Sequence, residues 1–295
     1  MASTLDMSKR FLQEVREHAD NSFYFFARGI LGFDWLVPHI HKDLCDTLQD
    51  RDNNKVRVLF PRGWLKSTIC SVSYPIWRAT QDATFRALLV QNTFTNACNK
   101  LAVIRGTFER NDLFRALYPE LLPDKHCTWK TEALCVSRPR ELDACTFEAA
   151  GIGTQVTSRH YNLIVEDDTV APDVSDLQES NVCPTKEDVK QAIGWHRLAT
   201  PLLVNMGTDQ IIVVGTRWFE EDLLSWVDRE EKQYQSVSLS AEDDEGNPVY
   251  PERFGKEVLD SLRASLGPYM YSCLMLNKPL RSDDMTFVED WFKYY

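Results

Sequence analysis

The apolar positions of the chain change period several times, and the changes mark its elements. Residues 8–31 carry Phe11, Leu12, Val15, Phe23, Phe26 and Ile30 as a rough stripe at helical spacing. Pro38 breaks that stretch, and His39–Leu48 reads as a second helix. After the polar turn Asp50–Asn54, Val56–Phe60 (VRVLF) is a short strand, PRGWLKST a loop, and the periodic stretch to Arg78 a helix. Arg86–Val90 predicts a second strand and Thr95–Phe108 another helix. Further strands are expected at Ala133–Ser137, Cys145–Ala149, Leu163–Val165 and Gln210–Gly215. The runs LLV, LIV and IIVV are continuous rather than alternating, as strands buried on both faces are. Strands alternating with helices predict an α/β fold, with a mainly parallel sheet flanked by helices.

Near Ser236 the pattern changes. Ala241–Pro248 (AEDDEGNP) is a polar turn cluster, followed by a helix in PERFGKEVLDSLRASLG between Gly255 and Gly267, and then an aromatic-rich tail. The expected organisation is a core with an N-terminal helical region over 1–235 and a small lid or linker subdomain over 236–295.

Composition excludes several classes. A chain of 295 residues with 43% hydrophobic content buries a real core and is not a disordered segment. It has no apolar run near the ~18 residues of a membrane helix, and its N-terminus lacks the apolar centre of a secretion signal. The eight cysteines, at 45, 70, 98, 127, 135, 145, 183 and 273, show no CxxC spacing and no companion His pair, so they read as thiols in a reducing compartment. The net charge of −11 argues against a uniformly basic, DNA-coating surface. It is an average, however. Lys55–Arg110 holds nine basic residues against two acidic ones, whereas Glu166–Asp188 holds eight acidic against one basic. Either these are two solvated surfaces, or phosphate belongs on one side and a cation with carboxylates on the other.

Three features favour the second reading. The loop Pro61-Arg62-Gly63-Trp64-Leu65-Lys66-Ser67-Thr68 lies between a strand and a helix, where backbone N–H groups cradle phosphates, a lysine bridges them and a hydroxyl holds Mg²⁺. Against the pattern G-x-x-x-x-G-K-S/T, Phe60 and Leu65 stand where glycines belong. The strand Leu163–Val165 runs into Glu166, Asp167 and Asp168. In P-loop ATPases such a strand lies beside the phosphate-loop strand; one carboxylate holds Mg²⁺ and the next orients the attacking water. The strand Gln210–Gly215 ends in Thr216-Arg217-Trp218, a hydroxyl and a cation at a strand tip. All three features fall at C-terminal strand ends, where open α/β sheets bind ligands.

These stretches resemble the ATPase region of tailed-bacteriophage terminase large subunits. PRGWLKST is similar to that family's deviant Walker A, GIGTQVTSRHYNLIVEDD to its glycine turn, arginine and Walker B strand, GTRWFEEDL to its coupling motif, and YPERFGKEVLDSLRASLGPYMYSCLMLNKPL to a later segment. The likeness spans roughly residues 30–295. It implies a P-loop NTPase fold of the additional-strand type and an enzyme hydrolysing ATP with Mg²⁺ to drive double-stranded DNA into a procapsid.

The roles it implies are as follows. Lys66 binds the β/γ-phosphates, within a nucleotide-binding loop made of Arg62, Gly63, Trp64, Leu65, Lys66, Ser67 and Thr68. Arg62 contacts phosphate in cis. Ser67, or its neighbour Thr68, and Asp167 hold Mg²⁺, and Asp168 is the catalytic carboxylate. Glu166/Asp167 is the competing register. Thr216 couples γ-phosphate loss to motion, and Arg159 acts on a neighbouring subunit's ATP or is a structural arginine beside His160. Trp35 flanks the purine with His39 or His41 as a polar contact, or these residues pack against the sheet. Lys100, Arg105 and Arg110 touch DNA phosphates or a neighbouring subunit, or form an exposed basic helix face.

The implied partners are double-stranded DNA, a portal protein, a small terminase subunit and further copies of the chain in a ring, in the host cytoplasm and with no membrane. The chain stops near where the family's nuclease domain begins, and Asp283, Asp284, Glu289 and Asp290 read as linker acids. ATPase activity without DNA cleavage is therefore expected. Two other readings stay open: a helicase-like nucleic-acid ATPase, and a degenerate, non-hydrolysing P-loop module that scaffolds an assembly.

Overall fold

The computed structural model describes residues 4–138, 142–154, 156, 158–171 and 184–279, with side chains from Lys9 onward. Cys183, Asp283, Asp284, Glu289, Asp290 and much of the acidic stretch after Asp168 lie outside the described residues.

The N-terminal region is α1 (Thr4–Asn21), the single turn α2 (Phe23–Phe25) running into a π-helical turn at Phe26–Ile30, and α3 (Pro38–Gln49). Pro38 opens α3, because its fixed φ and missing N–H suit the first helical turn. Phe23, Phe26 and Ile30 are buried as the stripe requires, but Phe11 is exposed and falls outside it. Next come β1 (Lys55–Leu59), a π-helical segment at Thr68–Ser73 continuing into α4 (Tyr74–Gln81), β2 (Ala87–Gln91), α5 (Phe94–Arg110) and α6 (Asp112–Leu117). The remaining elements are β3 (Ala133–Leu134), β4 (Phe147–Gly151), β5 (Leu163–Asp167), α7 (Lys186–Ala199), β6 (Gln210–Gly215), α8 (Leu223–Glu230), β7 (Gln235–Ser238) and α9 (Lys256–Leu274).

Seven strands form one sheet in the order β3-β4-β2-β5-β6-β1-β7. All neighbouring pairs are parallel except β3–β4 at one edge. Every residue of β2, β5 and β6 is buried, which accounts for their continuous apolar runs. The carboxylate strand β5 does not lie directly beside β1. β6 is inserted between them, pairing with β5 through Asp167 opposite Val214 and with β1 through Leu59 opposite Gly215. This inserted strand defines the additional-strand class expected from the sequence. The C-terminal tips of β1, β6 and β5 therefore sit side by side.

Polar side chains set the helix starts. Thr93 caps α5 by accepting from Asn96 N–H, Asn111 caps α6, and Asp222 caps α8. Thr185 and Asp188 form a reciprocal capping box on α7. The N-terminal helices dock through Trp77 Nε1, which donates to the Ala19 carbonyl at 3.0 Å, and Tyr74 Oη, which donates to the Leu48 carbonyl at 2.6 Å.

The expected boundary at Ser236 falls inside β7, an edge strand of the main sheet in which Val237 alone is buried. Beyond it, the chain stays tied to the sheet's rim. Leu239 N donates to the Leu59 carbonyl at 2.9 Å, and Ala241 N to the Met275 carbonyl at 2.9 Å. The helix expected to stop at Gly267 resumes after it. Gly267 takes φ 72° and Pro268 restarts the turn, so α9 is two segments joined by a kink.

Gly151, at the tip of β4, shows why one position takes only glycine. A Cβ there would stand 2.6 Å from the backbone nitrogen of Phe94, where α5 begins. Replacing Gly151 by Ala should push α5 off the sheet and destabilise the fold by about 1–3 kcal/mol. Urea unfolding should show this as a lowered midpoint at unchanged slope.

Candidate phosphate and metal site

The loop after β1 is built by conformations its sequence does not advertise. Phe60, in the first glycine position, is fully buried, and its carbonyl accepts from Lys66 Nζ at 3.3 Å. Leu65, in the second, adopts φ 60°, the left-handed conformation a glycine would take without strain. Gly63 is left-handed as well, with φ 84°. Trp64 does not turn its side chain to the loop's open side. It is buried edge-on to Tyr250, at 5.3 Å between ring centroids, and beside Phe254. From Trp64, only backbone is offered to a ligand. Arg62 is exposed, and its backbone N–H donates to the Leu274 carbonyl at 2.8 Å, which ties the loop to the end of α9.

Lys66 opens the following helix. Its Nζ donates to Thr216 Oγ1 at 2.6 Å and stands 3.8 Å from Asp168 Oδ1. The next residue, Ser67, donates to Asp167 Oδ1 at 2.8 Å. Ser71 Oγ at 2.7 Å and Gln91 Nε2 at 3.1 Å complete the hydrogen bonds to Oδ2, and Lys100 Nζ lies 3.7 Å from it. Burial raises the Asp167 carboxyl above its usual range and the Asp168 charge adds to this, while Lys100 and the two serines oppose both.

The three consecutive carboxylates do not converge. Alternation along β5 sends Glu166 to the opposite face from Asp167. There it is fully buried against His196 Nδ1, at 2.8 Å and 3.0 Å from its two oxygens, and His196 Nε2 reaches Glu231 at 3.2 Å. Burial lowers the His196 pKa, but the Glu166 and Glu231 charges overcome it, so the net direction is upward. Asp168 leaves the strand at φ 49°, with its N–H on the Val214 carbonyl and its carboxylate at the surface of the site. Asp167 and Asp168 thus share the Lys66 side, and Glu166 does not.

A cavity of about 230 Å³ opens here, lined by Arg62, Gly63, Leu65, Lys66, Ser67, Thr68, Asp168 and Arg253. It is smaller than the roughly 300–1,000 Å³ of sites that enclose a whole small molecule. Its size and charge suit a polyphosphate. The donor set also fits Mg²⁺, which typically takes one or two carboxylates and completes its shell with waters and phosphate oxygens. Ser67 Oγ and Asp167 supply the protein side of such a shell. Among the described residues, no group of three His, Cys, Asp or Glu side chains could hold a metal unaided.

Other expected residues lie elsewhere. His41 is fully buried and does not line the cavity. Its Nδ1 is 3.0 Å from Val37 N, its Nε2 has no partner, and burial lowers its pKa to about 4. His39 faces Glu252 at 3.4 Å. Trp35 is 55% exposed, with the Arg253 guanidinium 5.7 Å above its ring. Arg159 pairs with Glu148 at 2.8 Å, a carboxylate that Tyr161 also donates to, and is not among the cavity's lining. Arg105 and Arg110 both lie within ion-pair distance of Glu109. Lys100, grouped with these two from sequence, points inward to Asp167 instead.

Gln91, Lys100, His196 and Arg253 were not assigned to the site from sequence. Gln91 carried a signal, a polar residue at the C-terminal end of a buried strand. Arg253 sat in a recognised motif without a role.

Fold and site define a P-loop NTPase fold of the additional-strand type with a candidate phosphate site at the tips of β1, β5 and β6. No family model and no curated protein matches the chain. Solved structures do match. The large terminase of bacteriophage HK97 aligns with a TM-score of 0.51 and 14% identity, over 83% of this chain and 50% of that one. The large terminase of the thermophilic bacteriophage D6E aligns at 0.45 with 12% identity, over 78% and 49%. Its complex with ADP aligns at 0.46 with 11% identity, over 76% and 48%. The structural neighbours are thus phage large terminases, and at these identities the likeness is one of fold. The chain spans about half the length of each.

The left-handed Leu65 orders a pair of substitutions. Leu65→Gly should be tolerated, because relief of the roughly 1–2 kcal/mol left-handed strain offsets lost packing. Leu65→Val should be less stable than Leu65→Gly although it keeps more apolar surface, since a β-branched residue strongly disfavours positive φ. Thermal melting of the two variants checks the order.

Proposed function

We propose that this chain is the ATPase part of a phage terminase large subunit, hydrolysing ATP with Mg²⁺ to drive double-stranded DNA into a procapsid. The observation that carries the reading is the pair of contacts Lys66–Thr216 and Ser67–Asp167, which join the phosphate-type loop to two other strand tips.

In this reading Lys66 leaves Thr216 for the β- and γ-phosphates, and Arg62 neutralises phosphate charge from the exposed side of the loop. Ser67 and Asp167 hold the Mg²⁺, which supplies charge neutralisation between the β- and γ-oxygens. Asp168, outside that shell and facing the cavity, orients the attacking water and takes its proton. Thr216, freed from Lys66, senses the γ-phosphate at the tip of β6. Glu166 is kept out of the chemistry by its pair with His196. The segment beyond β7 acts as the lid. Arg159 reaches a neighbouring subunit's nucleotide in a ring of copies, and Trp35 borders the base. DNA, a portal protein and a small terminase subunit are the partners, and the host cytoplasm is the compartment. Among the described residues no helix is long and apolar enough to cross a membrane.

Steady-state turnover tests the reading and separates it from a non-hydrolysing scaffold. Lys66→Ala and Asp168→Ala should each lose about 10²–10⁴-fold, whereas Glu166→Gln should retain turnover. Mixing Arg159→Ala with Asp168→Ala subunits should restore part of it. Wild-type turnover no higher than that of Lys66→Ala would remove the motor reading.

A further inference from the structure

Three cations line the cavity. Arg62 and Lys66 belong to the loop after β1. Arg253 arrives from the turn that precedes α9. Two aromatic rings seat it: its guanidinium lies 5.6 Å from the Phe254 ring centroid and 5.7 Å from that of Trp35. Stacking fixes the plane of a guanidinium without consuming its N–H donors. The seat also presses on the loop, since a Cβ at Gly63 would stand 3.1 Å from the Phe254 ring.

Arg253 differs from other enclosed arginines of the chain in what its donors meet. Arg57 pairs with Asp228, Arg78 with Gln210, Arg86 with Asp143 and Arg217 with Asp222. Arg253 Nη1 is shut off from solvent and has no hydrogen-bond partner. No carboxylate forms an ion pair with it among the described residues. Buried guanidinium N–H groups are rarely left unpaired, and one that borders an open cavity points to an acceptor arriving from outside. The cavity's single lining carboxylate, Asp168, stands 3.8 Å from Lys66 Nζ. Two arginines thus remain uncompensated by the lining itself.

We infer that Arg253 is a phosphate ligand, its guanidinium fork taking non-bridging oxygens of a polyphosphate bound on the loop. This rests on the nucleotide reading and goes further, because it gives the segment after β7 a direct contact with the ligand. A guanidinium is suited to the task, as its planar donors match the oxygens of a phosphate two at a time.

The test is equilibrium binding of ATP and of inorganic tripolyphosphate to wild type, Lys66→Ala, Arg253→Lys and Arg253→Gln. Tripolyphosphate isolates the phosphate contact from any base contact. Arg253→Gln should weaken both ligands about tenfold or more, equivalent to about 1.4 kcal/mol. Arg253→Lys should fall between, keeping the charge and losing the fork. Unliganded melting should be unchanged in both variants, because Nη1 has no partner to lose. If Lys66→Ala loses ATP while Arg253→Gln binds both ligands as wild type does, the assignment is overturned and the nucleotide reading stands. A lowered unliganded melting temperature with unchanged affinity would make Arg253 a structural residue and overturn it too. Failure of the wild-type chain to bind either ligand would remove both readings.

Discussion

The buried carboxylate of Asp167 is the constraint around which the site is assembled. A charge in that position is tolerated only when several groups satisfy it, and they come from separate elements. Ser67 and Ser71 follow β1, Gln91 ends β2, and Lys100 reaches in from α5. Each contact requires strand tips at one level, which a parallel sheet provides. β6 completes the arrangement by lying between β1 and β5 and placing Thr216 on Lys66. Metal-side and phosphate-side groups are thereby held next to one another before any ligand binds, so little reorganisation is left to pay for on binding.

Electrostatics along β5 follow from the same geometry. Strand alternation separates Glu166 from Asp167, and the departure of the backbone at Asp168 turns the third carboxylate toward Lys66. Each acid therefore has its own cation: Glu166 has His196, Asp167 has Lys100, and Asp168 has Lys66. The basic stretch Lys55–Arg110 is correspondingly not one continuous surface. Lys66 and Lys100 serve the site, Arg57 and Arg86 are paired with acids, and Arg105 and Arg110 lie near Glu109. The net charge of −11 conceals this, because opposite charges remote in sequence are adjacent in space.

Much of the fold was legible because its signals are local. Buried parallel strands announce themselves as apolar runs, and the tips of β1, β5 and β6 carry polar motifs in chain order. β7 was not legible: QSVS buries one residue and shows neither an apolar run nor a full alternation. The break in the N-terminal helical region hides in a stretch whose apolar residues keep their spacing across it. In the site, loop and carboxylates could be read, but two contacts depend on long returns of the chain. His196 meets Glu166 across a segment with no motif, and Arg253 reaches the cavity only because Leu59, Arg62 and Leu274 bind the end of the chain to the loop. Leu65 looked like a defect in the glycine pattern; its left-handed φ shows that the loop keeps the glycine's conformation without the glycine.

The measurement that bears most directly on the central claim is a crystal structure with Mg²⁺ and a non-hydrolysable ATP analogue. The account requires the metal on Ser67 Oγ and Asp167, Lys66 moved from Thr216 to the β- and γ-phosphates, Asp168 facing the terminal phosphate, and Glu166 still on His196. A metal held through Glu166, or a triphosphate bound away from Lys66, would contradict it.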